Sequence, residues 1–190
     1  ATSDNPCPHC QAGYQSSCVQ REFMSHAQAP LLRVPLADGT LVPTHDLPND
    51  DLIPSLLTTS DVLGTGWFAA VAANVKPGKT VAVVGDGAVG LLGVLSAKHM
   101  GAERIIAMSR HAARQKLALE FGATDLVTER GDEGVARIKD LTKGIGADCL
   151  LECVGTQESM MQAVRCTRPG GSIGYVGVPL GVSLDGPAPV

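Results

Sequence analysis

Residues 80–90 read Thr80-Val81-Ala82-Val83-Val84-Gly85-Asp86-Gly87-Ala88-Val89-Gly90, TVAVVGDGAVG. Thr80 to Val84 is a continuous apolar run of the kind a strand buried on both faces requires. The six residues after it spell GxGxxG, and a helical stretch runs from Ala88 to about His99. Glycines at this spacing are a weak signal alone and a strong one between a strand and a helix. Gly85 permits the tight turn, Gly87 lets backbone approach a pyrophosphate, and Gly90 allows close helix–strand packing. The amides of Ala88 and Val89 stand at the helix N-terminus, where free N–H groups and the helix dipole favour an anion. The plainer reading of the same residues is a glycine-rich turn without a ligand.

Working outward, strand-like and helix-like runs alternate. Arg104–Met108 reads as a second strand and Ala112–Phe121 as a second helix, ended by Gly122. Leu126–Thr128 is a short third strand. Glu133–Thr142 is a third helix with Val135, Ile138 and Leu141 on one face. Cys149–Val154 reads as a fourth strand and Gln157–Cys166 as a fourth helix. A turn at Pro169-Gly170-Gly171 precedes a fifth strand, Ser172–Val176. Such alternation with short joints predicts an α/β fold, a Rossmann-type doubly wound parallel sheet with helices on both faces. Only a Gly/Pro-rich tail follows, so a six-stranded version would lack its last strand. Upstream, residues 19–57 hold prolines and short apolar runs without a period; these read as loops and short strands that need a partner surface. The expected division is 1–57 and 58–190.

The chain has 190 residues, enough for one domain with an appendage. Hydrophobic residues make up 44% and charged residues 18%, which excludes a disordered chain. Aromatics at 3% and a net charge of −4 argue against a nucleic-acid partner, which would call for stacking platforms and a basic footprint. No run reaches the roughly 18 apolar residues of a membrane span, and no export signal is visible. The expected location is cytoplasmic.

An NAD-binding unit places Asp or Glu at the end of its second strand to bond the ribose 2′-hydroxyl. Here Ser109, Arg110 and His111 stand there, with Arg114 one helical turn on. No carboxylate at that place repels a 2′-phosphate, while Ser109 and the guanidinium groups can bond one. This favours NADP as cofactor and leaves NAD possible. The arginines also fit ordinary solvated helix-start positions. An S-adenosylmethionine enzyme shares the glycine turn but commonly has an acid at this strand end.

Three of the six cysteines, Cys7, Cys10 and Cys18, crowd the N-terminus. Disulfides do not suit a chain with no sign of an oxidising compartment. Three thiolates can hold zinc if a fourth ligand closes the tetrahedron. Asp4, three residues before Cys7, is the first choice and His9 the other; metal-free thiols remain the alternative. Cys149, Cys153 and Cys166 read as small core residues.

The chain resembles the zinc-dependent medium-chain alcohol dehydrogenase family. CPHCQAGYQSSC looks like the last three cysteines of that family's structural zinc lobe, with Asp4 where the first cysteine usually stands. SDVLGTGWFAA followed by VKPGKTVAVVGDGAVG looks like the helix leading into its cofactor domain. GAERIIAMSRHAARQKLALEFGATDLV and GIGADCLLECVG follow its cofactor-domain pattern, and the Ser109–Arg110 pair is similar to NADP-using members. The resemblance implies that Asp61 is the third protein ligand of a catalytic zinc and that Thr65 packs on the nicotinamide. It implies that Val154 lines the coenzyme cleft and that backbone at Val176 and Val178 holds the carboxamide. Read without the family, Ser60 or Asp61 could cap a helix, and the rest could be packing residues.

The resemblance implies reversible oxidation of a small alcohol to an aldehyde or ketone, by an enzyme whose intact form is a homo-oligomer. The family's other catalytic zinc ligands lie upstream of the structural lobe and its sheet continues past the fifth strand, so the chain reads as an internal fragment, a truncated product or an incompletely represented form of that enzyme. Phe68 stands where many relatives have His. Two competing readings are a dinucleotide-binding module without chemistry and a zinc-free quinone reductase of the same fold.

Overall fold

The computed structural model describes residues 2–25 and 27–179. They form two compact units, Ala1–Asp51 and Leu52–Val190. In the first, α1 (Pro8–Gln11) and α2 (Ala37–Thr40) are single turns with a 3-10 turn at Gln15–Ser17 between them; a second 3-10 turn, Asp50–Leu52, falls at the end of the unit. Its apolar centre is Cys7, Cys10 and Cys18. Two side-chain hydroxyls tie distant stretches together: Ser3 N–H donates to Thr40 Oγ1 at 3.0 Å and Glu22 N–H to Thr2 Oγ1 at 2.9 Å. The short strands expected within residues 19–57 do not form among the described residues. Leu31 and Val42 are 91% and 94% exposed, so neither finds a sheet face to cover it.

The second unit opens with α3 (Ile53–Thr59) and α4 (Val62–Ala72), which pack on each other. The junction between the compact units falls at Asp51/Leu52, close to the 57/58 division read from the sequence. Then β1 (Thr80–Val84), α5 (Ala88–His99), β2 (Arg104–Met108), α6 (Ala112–Phe121), β3 (Asp125–Val127), α7 (Gly131–Leu141), β4 (Ala147–Glu152), α8 (Gln157–Cys166) and β5 (Thr167–Tyr175) alternate to the end of the described residues. The strand order is β3-β2-β1-β4-β5 and every pairing is parallel. The expectation about a sixth strand concerns residues 180–190, which lie outside the described residues.

Alternation along the strands divides the core. Val81, Val83, Ile105, Ala107, Cys149 and Leu151 face α4, α5 and α6. Ala82, Val84, Ile106, Met108 and Leu150 face α7 and α8, where Val135, Ile138, Ala163 and Cys166 meet them. Both faces are dry, which is why β1 carries no polar residue after Thr80. Gly122 ends α6 with a φ of 117°, the left-handed cap that glycine adopts without a steric cost.

Four elements differ from the sequence reading: β3 lies one residue earlier, α7 starts two residues earlier and ends one earlier, and β4 and β5 are displaced for identifiable reasons. The Pro169-Gly170-Gly171 turn does not precede β5 but interrupts it. Thr167 pairs with Ala147 and Ser172 with Cys149, so the ladder resumes after a bulge. The fourth strand starts two positions early and stops at Glu152, because the Glu152 carboxylate folds back to accept the next amides (below).

Helix α4 is held close to α5 by a glycine. A Cβ on Gly66 would stand 2.7 Å from the Gly93 nitrogen and 2.9 Å from the Leu92 carbonyl carbon. Both atoms are backbone and cannot rotate away. Gly66→Ala is expected to cost about 1–3 kcal/mol, the usual range for overpacking, measured by denaturant unfolding; an unchanged midpoint would contradict this packing.

Two carboxylates bind sheet and turns electrostatically. Arg104 grips Asp125 with Nε–Oδ2 at 2.8 Å and NH2–Oδ1 at 2.7 Å. That fork holds Asp125 below its ordinary pKa, against a smaller upward push from burial. For Asp148, burial pushes upward, but the Thr80 N–H at 2.9 Å and Arg168 Nε at 2.7 Å outweigh it. A depressed folded pKa adds stability that is complete above the ordinary carboxylate value and is lost as pH falls through the lower folded value. The melting temperature is therefore expected to fall as pH drops below about 4, with a shallower fall in Asp125→Asn. An acid slope that this variant leaves unchanged would contradict the assignment.

Candidate functional site

The glycine turn has the geometry that its spacing implies. Gly85 takes a φ of 112°, and a Cβ on Gly90 would lie 2.0 Å from the Gly85 carbonyl oxygen. A Cβ on Gly87 would meet nothing within 4 Å, so the space outside the turn is open. Gly87 is the N-cap of α5 and no side chain caps the helix. Gly87 and Ala88 are exposed, Val89 is half-buried and Gly90 is buried. The amides at the start of α5 are thus available to an anion, as a helix N-terminus beside a glycine turn allows.

A cleft of about 310 Å³ lies beside this turn, at the carboxyl ends of the strands. Gly85, Asp86, Arg110, His111, Arg130 and Val154 are among its lining residues. In an open parallel sheet this edge is where ligands bind. Three of the candidate residues, Arg110, His111 and Val154, line this one cleft. Arg130 was not foreseen.

Ser109 and Arg114 stand differently. Ser109 is fully buried, and its hydroxyl donates to Asp86 Oδ2 at 2.7 Å. Arg114 NH1 donates to Asp86 Oδ1 at 3.1 Å. Both groups are engaged by a carboxylate from the glycine turn itself. Burial pushes the Asp86 carboxyl up, but the Ser109 hydrogen bond and then Arg114 outweigh it and hold its pKa below the ordinary value. Arg130 N–H groups reach the carbonyls of Glu129 at 3.1 Å and Met108 at 3.3 Å. Burial first, and the like charge of Arg110 second, hold the Arg130 pKa below its ordinary value.

Glu152 shapes the opposite wall. Its Oε1 accepts the amides of Val154 at 3.0 Å and Gly155 at 2.9 Å, and its main-chain carbonyl accepts those of Val176 at 3.0 Å and Gly177 at 3.1 Å. One buried residue thereby fixes the turn after β4 and the segment after β5. A Cβ on Gly155 would come within 2.4 Å of the Val178 carbonyl oxygen, so Val154, Val176 and Val178 sit on adjoining segments. Val176 packs partly into the core, whereas Val154 and Val178 are exposed.

Asp61 and Thr65 meet at the start of α4. Thr65 Oγ1 donates to Asp61 Oδ1 at 3.2 Å and to the Asp61 carbonyl at 3.0 Å. Asp61 is the N-cap position of α4, yet its side chain caps no amide. Among the described residues, Asp61 belongs to no group of three or more metal-ligating side chains.

Such a group does exist in the first unit. One ligand atom each from Asp4, Cys7, Cys10 and Cys18 lies within 4.8 Å of the others. Backbone N–H groups point at the sulfurs, Cys10 N–H at Cys7 Sγ (3.5 Å), and Asp4 and Gln20 N–H at Cys18 Sγ (3.4 Å each). Four acidic groups crowd each other here. Hydrogen bonds from Val19 and Cys10 amides pull the Cys7 thiol down, while burial and then Cys7 push Cys10 up to about 12. Three thiols and a carboxylate converging on one point fit a closed tetrahedral zinc site. His9 is exposed and outside the cluster. The other three cysteines are core residues. Burial pushes Cys153 up to about 12 and Cys166 to about 11, which disfavours the thiolate form.

The zinc-binding dehydrogenase family model matches residues 88–187. The chain belongs to the zinc-binding dehydrogenase family. It is 35% identical, over 90% of its length, to 44% of a Mycobacterium tuberculosis protein named "Probable zinc-binding alcohol dehydrogenase". It is 38% identical, over 68% of its length, to 36% of the NADP-dependent isopropanol dehydrogenase of Entamoeba histolytica. Its fold superimposes with a TM-score of 0.85 on the apo form of zinc-dependent alcohol dehydrogenase 2 from Streptococcus pneumonia, at 30% identity, covering 97% of this chain and 53% of that one. The chain thus spans less than half the length of these two curated relatives. No helix among the described residues is long and apolar enough to cross a membrane.

The Asp4 cluster makes a metal prediction. The purified chain is expected to hold zinc at one atom per chain by elemental analysis, with Cys10→Ser abolishing it and Asp4→Ala releasing it more readily to a chelator. A metal-free chain whose melting temperature does not respond to added zinc would refute the site.

Proposed function

We propose that this chain is the cofactor-binding part, with a structural zinc lobe, of an NADP-dependent alcohol dehydrogenase acting on a small alcohol, aldehyde or ketone. The observation that carries the reading is the guanidinium-lined cleft beside an open glycine turn. The turn would take the pyrophosphate on the amides of Gly87, Ala88 and Val89. Val154, Val176 and Val178 would border the nicotinamide end, on segments that Glu152 holds in place. NADP⁺, when bound, would supply the hydride acceptor for the alcohol carbon, and the part of this chain would be to place and enclose it. Relatives named as NADP-dependent isopropanol dehydrogenases support the cofactor choice.

Asp61 would supply one ligand to a catalytic zinc, which when bound acts as a Lewis acid on the substrate oxygen. Three protein ligands are usual. The described residues bring no other ligand to Asp61, so they do not by themselves fit that metal. Zinc in the Asp4 lobe would set the protein apart from a zinc-free quinone reductase and from a bare binding module. Six free cysteines suit a cytoplasmic enzyme, and a homo-oligomer remains the expectation for the intact protein.

One observation favours NAD instead. Asp86 brings a carboxylate to Ser109, at the end of β2, where an NAD-binding unit keeps its ribose-binding acid. Against it, Arg114 pairs with that charge. Calorimetric titration with NADP⁺ and NAD⁺ separates the two. At least about tenfold tighter binding of NADP⁺, a difference of roughly 1.4 kcal/mol, is expected. Equal or NAD⁺-favoured binding would overturn the cofactor choice.

A further inference from the structure

Arg130 stands where no local pattern marks it. It is the N-cap residue of α7, on the turn that follows β3. Its guanidinium nevertheless reaches the end of β2, through the 3.3 Å bond from NH2 to the Met108 carbonyl, beside Ser109. Parallel pairing of β2 with β3 brings the two strand ends together, with Met108 opposite Val127. Arg130 is half-buried and lines the cleft with Arg110.

The partners of the three nearby arginines differ. Arg114 is tied to Asp86 and does not line the cleft. Arg110 forms no ion pair among the described residues. Arg130 spends N–H groups only on two neutral carbonyls and likewise forms no ion pair among them. A guanidinium has five N–H donors, so Arg130 keeps a free edge. Two guanidiniums close enough to repel each other, in a shared cleft, are what a doubly charged anion would relieve. Asp86 and Glu158 also line the cleft and both attract the Arg130 charge, without reaching ion-pair distance among the described residues. Arg114 and Ser109 counter the Asp86 charge.

We infer that Arg130, together with Arg110, is the seat of the adenosine 2′-phosphate and that Arg130 is the residue that discriminates NADP from NAD in this chain. Arg114 then acts indirectly, by neutralising Asp86. The inference rests on the NADP reading above and deepens it.

The test is calorimetric titration of the wild-type chain, Arg130→Gln and Arg130→Lys with NADP⁺ and NAD⁺. Arg130→Gln is expected to weaken NADP⁺ binding by about tenfold or more while NAD⁺ affinity stays within about twofold, which also reports an intact fold. Arg130→Lys, which keeps the charge and loses the fork, is expected to fall between the two. If Arg130→Gln does not fold, Arg130→Lys is read in its place: a selective loss of NADP⁺ affinity supports the assignment and an unchanged one overturns it. A wild-type preference for NADP⁺ that survives the substitution overturns the role of Arg130 alone, as does an equal loss for both cofactors. A wild-type chain that binds the two alike overturns the NADP reading and this assignment with it.

Discussion

The contact between Gly90 and the Gly85 carbonyl is the constraint on which the site depends. With 2.0 Å between that oxygen and where a Cβ would stand, the first turn of α5 lies directly over the end of β1. No other residue permits that approach. It aims the uncapped amides of α5 outward over the carboxyl edge of the sheet. Parallel pairing then brings the ends of β2, β3, β4 and β5 to the same edge. The cleft and its charges follow from that arrangement and not from any single motif.

Charge at this edge is arranged in two layers. Asp86 and Ser109 form a partly buried hydrogen bond, and Arg114 pairs with the same carboxylate. Arg110 and Arg130 line the cleft and, among the described residues, have no carboxylate partner within ion-pair distance. A carboxylate inside the glycine turn would by itself weaken an anion site, so its pairing with Arg114 matters to phosphate binding as much as to stability. The zinc lobe is a separate device. A unit with three cysteines as its apolar centre has little core, and a metal would supply what burial does not.

Much of this was legible in the sequence, for local reasons. The apolar run of β1, the glycine spacing, the α6 terminator Gly122 and the Asp4–Cys18 spacing all act over a few residues, so their pattern survives in one dimension. Ser109, Arg110 and Arg114 were visible as a cationic strand end, but the bond that engages Ser109 comes from Asp86, on a different strand turn. Asp86 was hidden inside the glycine motif, where it read as a variable position. Arg130 was invisible because its role exists only once β3 lies beside β2. Glu152 looked like strand interior; its function as a turn-forming acceptor depends on the segment after β5 returning to it. The bulge in β5 escaped because Pro-Gly-Gly reads equally as a turn between strands or a break within one.

The most direct test of the account is an amide chemical-shift titration of this chain with NADP⁺. Binding is expected to move the resonances of Gly87, Ala88 and Val89 most, together with the side-chain Nε signals of Arg110 and Arg130 and the amide of Val154. Perturbations that spare the glycine turn and gather elsewhere, such as around Trp67 and His99, would contradict the claim that this edge of the sheet is the cofactor site.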